Sequence, residues 1–326
     1  MGQLDLFPRP EPTSVAVEPA TVPEELRDLA SRLPASVRLG TSSWSFPGWR
    51  GLVYRDRAEE AELARDGLAA YGRHPLLRAV GIDRTFYAPV KAADFARYAA
   101  AVPGGFRFLV KASQACTFPA LRGGAGAGNS EPNPRFLDPA FAADEVVGPA
   151  TEGLRGQLGT ILFQFPPLPA ALTRRAAEFA DRLGEFLARL PAGPLYSVEI
   201  RNRSLLTPGY AAALAPAGAS HAFTVHPSMP PLPVQAAVVG LERQPALVVR
   251  WMLGHGRGYE EARLLYEPFD RLVAPDEASR SSIASLAARA LGLAKEVLVV
   301  VNNKAEGSAP LSVVGLARAI ASSAGR

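Results

Sequence analysis

Eight short strand-like runs, each separated from the next by a helical pattern or a polar loop, constrain this chain more than any other feature. They are Arg38–Trp44, Ile82–Tyr87, Phe106–Ser113, Gly159–Pro167, Tyr196–Asn202, Ser220–His226, Ala246–Met252 and Val297–Asn303. Most are apolar on both faces, the composition of parallel strands covered by helices rather than of strands facing water. Helices are predicted over Ala58–Ala70, Ala92–Ala101, Ala140–Leu154, Arg174–Leu190, Tyr210–Leu214, Ser281–Leu293 and Leu311–Ser322. Eight strands alternating with helices predict an α/β fold, a single closed (β/α)8 TIM-like barrel. An open doubly wound sheet is the alternative, but no Gly-x-Gly-x-x-Gly turn follows the first strand. The 326 residues suit one barrel over 37–326, preceded by a tail over 1–36.

The tail is rich in Pro, Glu, Ala and Val, with a short helix predicted over Glu24–Leu33. Inside it lies Gln3-Leu4-Asp5-Leu6-Phe7, an apolar island in a polar, Pro-terminated segment. It resembles the pentapeptide by which bacterial polymerases and repair proteins dock on the sliding clamp. In that mode Gln3 would bond at the pocket mouth while Leu4, Leu6 and Phe7 fill an apolar groove. The bland alternative is a tail whose Leu and Phe fold back on the domain.

No apolar run reaches membrane-spanning length, and no basic region followed by an apolar stretch opens the chain. No membrane association is expected, and a cytoplasmic location is. The single Cys116 has no internal disulfide partner and reads as a small buried or loop thiol. Cys and His lack zinc-site spacing, so no metal is expected. The Gly-rich run Gly123–Gly128 lacks the Gly-Lys-Ser/Thr ending of a phosphate loop and reads as a flexible loop, with a lid over the strand ends as its functional alternative. No cofactor is expected.

The formal charge of +4 is compatible with anionic partners without demanding nucleic acid. The chain strongly prefers Arg to Lys: only Lys91, Lys111, Lys295 and Lys304 occur among 35 basic residues. Two of these, Lys111 and Lys304, fall at predicted strand ends.

The run Tyr196–Asn202 is the predicted site strand. Side chains alternate along a strand, so Tyr196, Val198 and Ile200 share one face while Ser197, Glu199 and Arg201 share the other. In a barrel, ligands bind at the C-terminal ends of the strands. Closure would gather there Ser42, Ser43 and Trp44, then Asp83, Thr85 and Tyr87, then Lys111 and Ser113. Gln164, Glu199, Arg201, His226, Arg250, Asn302, Asn303 and Lys304 complete the rim. Such a rim attracts an anion: a phosphate, a carboxylate or a nucleic-acid backbone. Glu199 and Lys111 are the catalytic candidates, Glu199 as general acid or base and Lys111 also as an anion contact. Arg201, Arg250, Asn302, Asn303, Tyr87, Trp44, Gln164 and His226 are the substrate-binding candidates. The competing structural readings are an internal ion pair for Glu199 with Arg201 or Arg250, a loop role for His226, and simple packing for Trp44 and Trp49.

The ordered motifs Gly40-Thr-Ser-Ser-Trp44 with Trp49, Thr85-Phe-Tyr87, Phe106-x-Phe-x-Val-Lys111, Gln157–Pro167, Val198-Glu-x-Arg201, Val249-Arg250 and Asn302-Asn303 resemble the YecE-like family, the domain of unknown function 72. The resemblance spans about 37–322 and implies a TIM-like barrel. It implies no established activity, and only its fold-level similarity to endonuclease IV-type barrels points to nucleic acid. The chain departs from the family pattern at Gly81 and Asp83, where Glu and Asn are expected. It departs again at Trp251-Met252, where His-Gly is expected, and at His226, where Asp is expected. Lys111, Glu199, Arg201, Arg250 and Asn302 match. Three function classes follow. The first is a DNA-metabolism hydrolase tethered to the clamp. The others are a metabolic hydrolase or isomerase of a small anion, and a barrel that binds its ligand without turnover.

Overall fold

The computed structural model describes residues 17–121, 131–254 and 256–324. The clamp-like motif Gln3–Phe7 and the Gly-rich run Gly123–Gly128 lie outside them. Eight parallel strands close a barrel: β1 (Val37–Thr41), β2 (Ala79–Ile82), β3 (Arg107–Lys111), β4 (Leu158–Gln164), β5 (Tyr196–Glu199), β6 (Ser220–Val225), β7 (Leu247–Trp251) and β8 (Val297–Val301). Neighbours around the barrel follow chain order, and β8 closes on β1 through pairs from Val37–Val297 to Thr41–Val301.

Alternation along the strands creates two cores. Ala79, Leu109, Leu162, Ala222, Val248, Leu298 and Val300 point inward and pack together inside the barrel. The opposite faces, including Tyr196, Val198, Phe163, Phe223 and Val299, join the larger cluster beneath the surrounding helices. The face assignment expected for Tyr196 and Val198 therefore holds.

The second strand differs from its expected position. Pairing with β1 uses Ala79 and Val80, and the predicted strand residues Arg84–Phe86 form a 3-10 turn. The apolar run Ala79–Ile82 forms the strand, and the Thr85 hydroxyl stabilises the turn by sharing its hydrogen between the carbonyls of Ile82, at 2.9 Å, and Lys111, at 2.5 Å. Besides the single-turn helices Gln114–Thr117 and Ala170–Thr173, two longer helices lie outside the sequence pattern, Leu232–Val239 and Tyr259–Tyr266. The first is apolar nearly all round, and the second follows a Gly-rich loop. The Ala140–Leu154 prediction resolves into Pro139–Ala142, a π turn over Ala143–Val147 and a helix over Gly148–Leu154. Helix Glu24–Ser31 contributes Leu29 and Ala30 to the outer core.

Among the described residues no helix is long and apolar enough to cross a membrane, and no group of His, Cys, Asp and Glu is arranged to hold a metal ion. Cys116 is buried, and burial pushes its thiol up to about 12, so it has the character of an inert core group.

Candidate functional site at the strand ends

The inward residues one layer above the apolar interior core are Lys111 on β3, Glu199 on β5 and Arg250 on β7, with Arg201 just beyond β5 and Asp83 just beyond β2. The β5 register sets Gln164 beside Glu199, and β6 and β7 pair Thr224 with Arg250. Arg250 Nη1 donates to Glu199 Oε2 at 2.6 Å, and Arg201 Nη2 pairs with Glu199 Oε1. A single carboxylate thus holds two guanidiniums that enter from different strands.

Burial defines the electrostatics of this cluster. The Glu199 side chain is 0 % exposed and that of Arg250 2 %, while Arg201 keeps 9 %. Burial opposes the Glu199 charge more than any single neighbour favours it. Arg201, Arg250 and Lys111 together outweigh that penalty and hold its carboxyl down at about 2. Lys111 is shifted in the other direction. Burial, reinforced by Arg250 and Arg201 and opposed by Asp83 and Glu199, brings its ammonium down to about 8. Its Nζ lies 3.6 Å from the centroid of the Phe86 ring, whose π face receives the charge.

Three cations here face two carboxylates. Several polar atoms inside the cluster have no hydrogen-bond partner: Nε of Arg201, Nε of Arg250 and Oδ1 of Asp83. Buried donors are normally paired, so these two N–H groups are open to an added acceptor.

Other predicted site residues divide between rim and framework. Gln164 and His226 sit half-buried at the strand ends, where Gln164 donates to the Phe165 carbonyl at 3.3 Å and His226 Nδ1 bonds the Ser228 hydroxyl at 2.8 Å. Asn302 is also half-buried, and its side chain donates to Ser42 Oγ at 2.9 Å and accepts from the Lys304 amide at 3.0 Å. Tyr87 is 74 % exposed, its ring edge-on to Phe86. Ser113 instead caps the short helix Gln114–Thr117.

Trp44 does not present a binding face. It is buried, donates through its indole N–H to the Leu63 carbonyl at 3.0 Å, and packs edge-on against Tyr98. Asn303 is buried and its side-chain oxygen is engaged by the framework. Its Oδ1 accepts from the indole of Trp49 at 3.2 Å and from the Ala309 amide at 2.8 Å, joining the first loop to the start of the last helix. Asn302 and Asn303 lie in the turn beyond β8, and their hydrogen bonds send them to different partners, Asn302 to Ser42 and Asn303 to Trp49 and Ala309. Lys304 faces the rings of Tyr259 and Phe269, at 4.2 and 5.8 Å, away from the Glu199 cluster. Phe86 also belongs to this cluster, through its contact with Lys111, although the sequence pattern does not single it out. Its only signal in the sequence is its place in Thr85-Phe-Tyr87, directly before Tyr87.

At Gly81 a side chain would place its Cβ 2.9 Å from the Ser42 carbonyl oxygen. The departure from the expected Glu therefore coincides with a close approach of β1 and β2, and Asp83 supplies the carboxylate on that side.

The family model "Protein of unknown function DUF72" matches residues 38–325. The fold is similar to that of a DUF72 protein from Thermotoga maritima solved at 2.20 Å, with a TM-score of 0.60, 20% identity, and 86% of this chain and 98% of that one covered. It is also similar to a DUF72 protein from Enterococcus faecalis solved at 2.52 Å, with a TM-score of 0.56, 18% identity, and coverage of 86% and 96%. A comparison with curated proteins returns no match. The match over nearly the whole barrel, on a closed eight-stranded fold shared with two solved DUF72 structures, places this chain in the DUF72 family.

Proposed function

We propose that the C-terminal mouth of the barrel binds one anionic group, a phosphate or carboxylate of a small ligand, between Arg201, Lys111 and Arg250. The observation that carries this reading is the imbalance of the cluster: three cations against two carboxylates, with the Nε–H groups of Arg201 and Arg250 lacking partners. Desolvated charge without a counterion is costly, and an arriving anion would supply it. Arg201 and Lys111 retain some exposure, so the ligand would meet them first.

In this reading Glu199 positions the guanidiniums rather than carrying protons, because its carboxyl stays ionised far below neutral pH. Lys111, brought down to about 8, is the group able to exchange a proton near neutral pH and hence the candidate for turnover of the bound metabolite. Small metabolites are favoured over single-stranded nucleic acid because Trp44 and Trp49 are buried in packing and leave Tyr87 rather than a run of rings to stack bases at the rim.

Calorimetric titration with inorganic phosphate tests the proposal. Binding should weaken at least about tenfold in Arg201→Ala; equal affinity in the variant, or no binding to the parent protein at millimolar phosphate, would refute it.

A second reading, favoured by Gln3–Phe7, makes the barrel a DNA-metabolism protein tethered to the sliding clamp. It requires clamp binding that vanishes on deletion of residues 3–7, and DNA binding that falls steeply with salt and with loss of Arg201 and Arg250.

A further inference from the structure

A second basic cluster occupies the opposite end of the barrel. Arg38 points into the interior at the N-terminal end of β1, Arg78 immediately precedes β2, and Arg107 opens β3. A cavity of about 370 Å³ opens beside them, lined by Arg38, Arg73, His74, Arg78, Pro103 and Phe106, among others. That volume falls at the lower end of the range of small-molecule pockets, ~300–1,000 Å³.

The cations here are oriented mainly by backbone carbonyls, with one carboxylate among them. Arg38 Nε donates to the Gly105 carbonyl at 3.0 Å. Arg78 donates through Nε to the Pro75 carbonyl at 3.1 Å and through Nη2 to the Ala30 carbonyl at 2.7 Å. Arg107 Nη1 donates to the Phe106 carbonyl at 3.0 Å. Each guanidinium has five N–H groups, so donors remain on all three after these bonds. Glu296, paired with Arg38, is the only carboxylate in an ion pair with any of Arg38, Arg73, Arg78 and Arg107 among the described residues. Burial and the proximity of Arg38 both disfavour the charges of Arg78 and Arg107, with Glu296 partly relieving Arg107.

His74 adds a neutral donor. Its Nδ1 accepts from the Leu76 amide at 3.3 Å, which leaves the hydrogen on Nε2, and burial holds its imidazole down at about 4, uncharged at neutral pH. Phe106, Pro103, Pro75 and Leu77 give the same cavity apolar walls.

We propose that this N-terminal basin is a second ligand site, distinct from the Glu199 cluster, that takes a small organic anion with a phosphate or carboxylate head and an apolar body. The head would lie among Arg38, Arg73 and Arg78, and the body against Phe106 and Pro103. Helix Glu24–Ser31 contacts the site through the bond from Arg78 to the Ala30 carbonyl, so occupancy would also steady the segment that leads into the barrel.

Phenyl phosphate is the test probe, titrated into isotopically labelled full-length protein and followed by amide chemical shifts. The amides of Gly72, His74, Gly105 and Phe106 should shift saturably, and inorganic phosphate should bind the same amides more weakly because it lacks the ring. Arg73→Glu, an exposed residue with no side-chain partner among the described residues, should fold normally and weaken phenyl phosphate at the basin at least about tenfold. Shifts confined to residues around Glu199 and Arg201, or an unchanged basin affinity in Arg73→Glu, would overturn the assignment. Failure at the rim with persistence at the basin would instead count against the rim proposal alone.

Discussion

Glu199 Oε2 accepts from Arg250 Nη1 at 2.6 Å across two strands of the barrel, while its other oxygen pairs with Arg201. These contacts link β5 to β7 at the level where the apolar interior ends. They make one carboxylate the counterion of two largely buried cations, so its removal leaves both without a charged partner.

Glu199→Gln should therefore destabilise the barrel by about 3–5 kcal/mol, the range for deleting one partner of a buried ion pair. Denaturant unfolding monitored by tryptophan fluorescence measures it. A loss below about 1 kcal/mol would mean that the guanidiniums find other partners.

The same residue sets an acid limit. Its folded-state carboxyl lies near 2 against an ordinary 4.5. A depressed acid stabilises the fold fully above the unfolded value and loses that contribution as pH falls from about 4.5 towards 2. Melting temperatures should decline through this window in the parent protein and decline less in Glu199→Gln.

Lys111 behaves oppositely. Its folded-state ammonium lies near 8 against 10.5, so the fold disfavours its charge, and stability should rise as pH increases from about 8 towards 10.5. Rim phosphate affinity should fall over the same pH rise, because the anion prefers the charged amine. Carbon chemical shifts of the Lys111 side chain, assigned with Lys111→Gln, give the titration midpoint directly; a midpoint near 10.5 would contradict the burial argument.

Asn303→Ala should cost about 1–2 kcal/mol, since its Oδ1 serves both the Trp49 indole and the Ala309 amide at the start of the final helix. Rim anion affinity should be unchanged, which separates this framework residue from neighbouring Asn302. A comparable loss of phosphate binding would return Asn303 to the site.

The architecture was legible because strand parity and apolar composition are local properties. Runs such as Val297–Val301, buried on both faces, have few alternatives to a covered parallel strand. The Glu199 cluster was legible to the same extent: alternation places Glu199 and Arg201 on the face opposite Tyr196 and Val198, and closure brings Arg250 and Lys111 to the same level. Where a turn replaced an extended segment, as at Arg84–Phe86, the strand shifted by several residues. The deciding hydrogen bonds of Thr85 reach the Lys111 carbonyl on another strand, which no local pattern contains.

By itself, then, the order of residues determined an eight-stranded barrel and the set of charged groups at its C-terminal end, since both follow from periodicity along single strands. Tertiary structure decided which of those groups belong together: Glu199 between two arginines, Lys111 over Phe86, Asn303 and Trp44 turned into the framework, and a second basic basin at the opposite mouth. The physical reason is that pairing, desolvation and ring contacts depend on distances between strands, and those distances exist only once the barrel has closed.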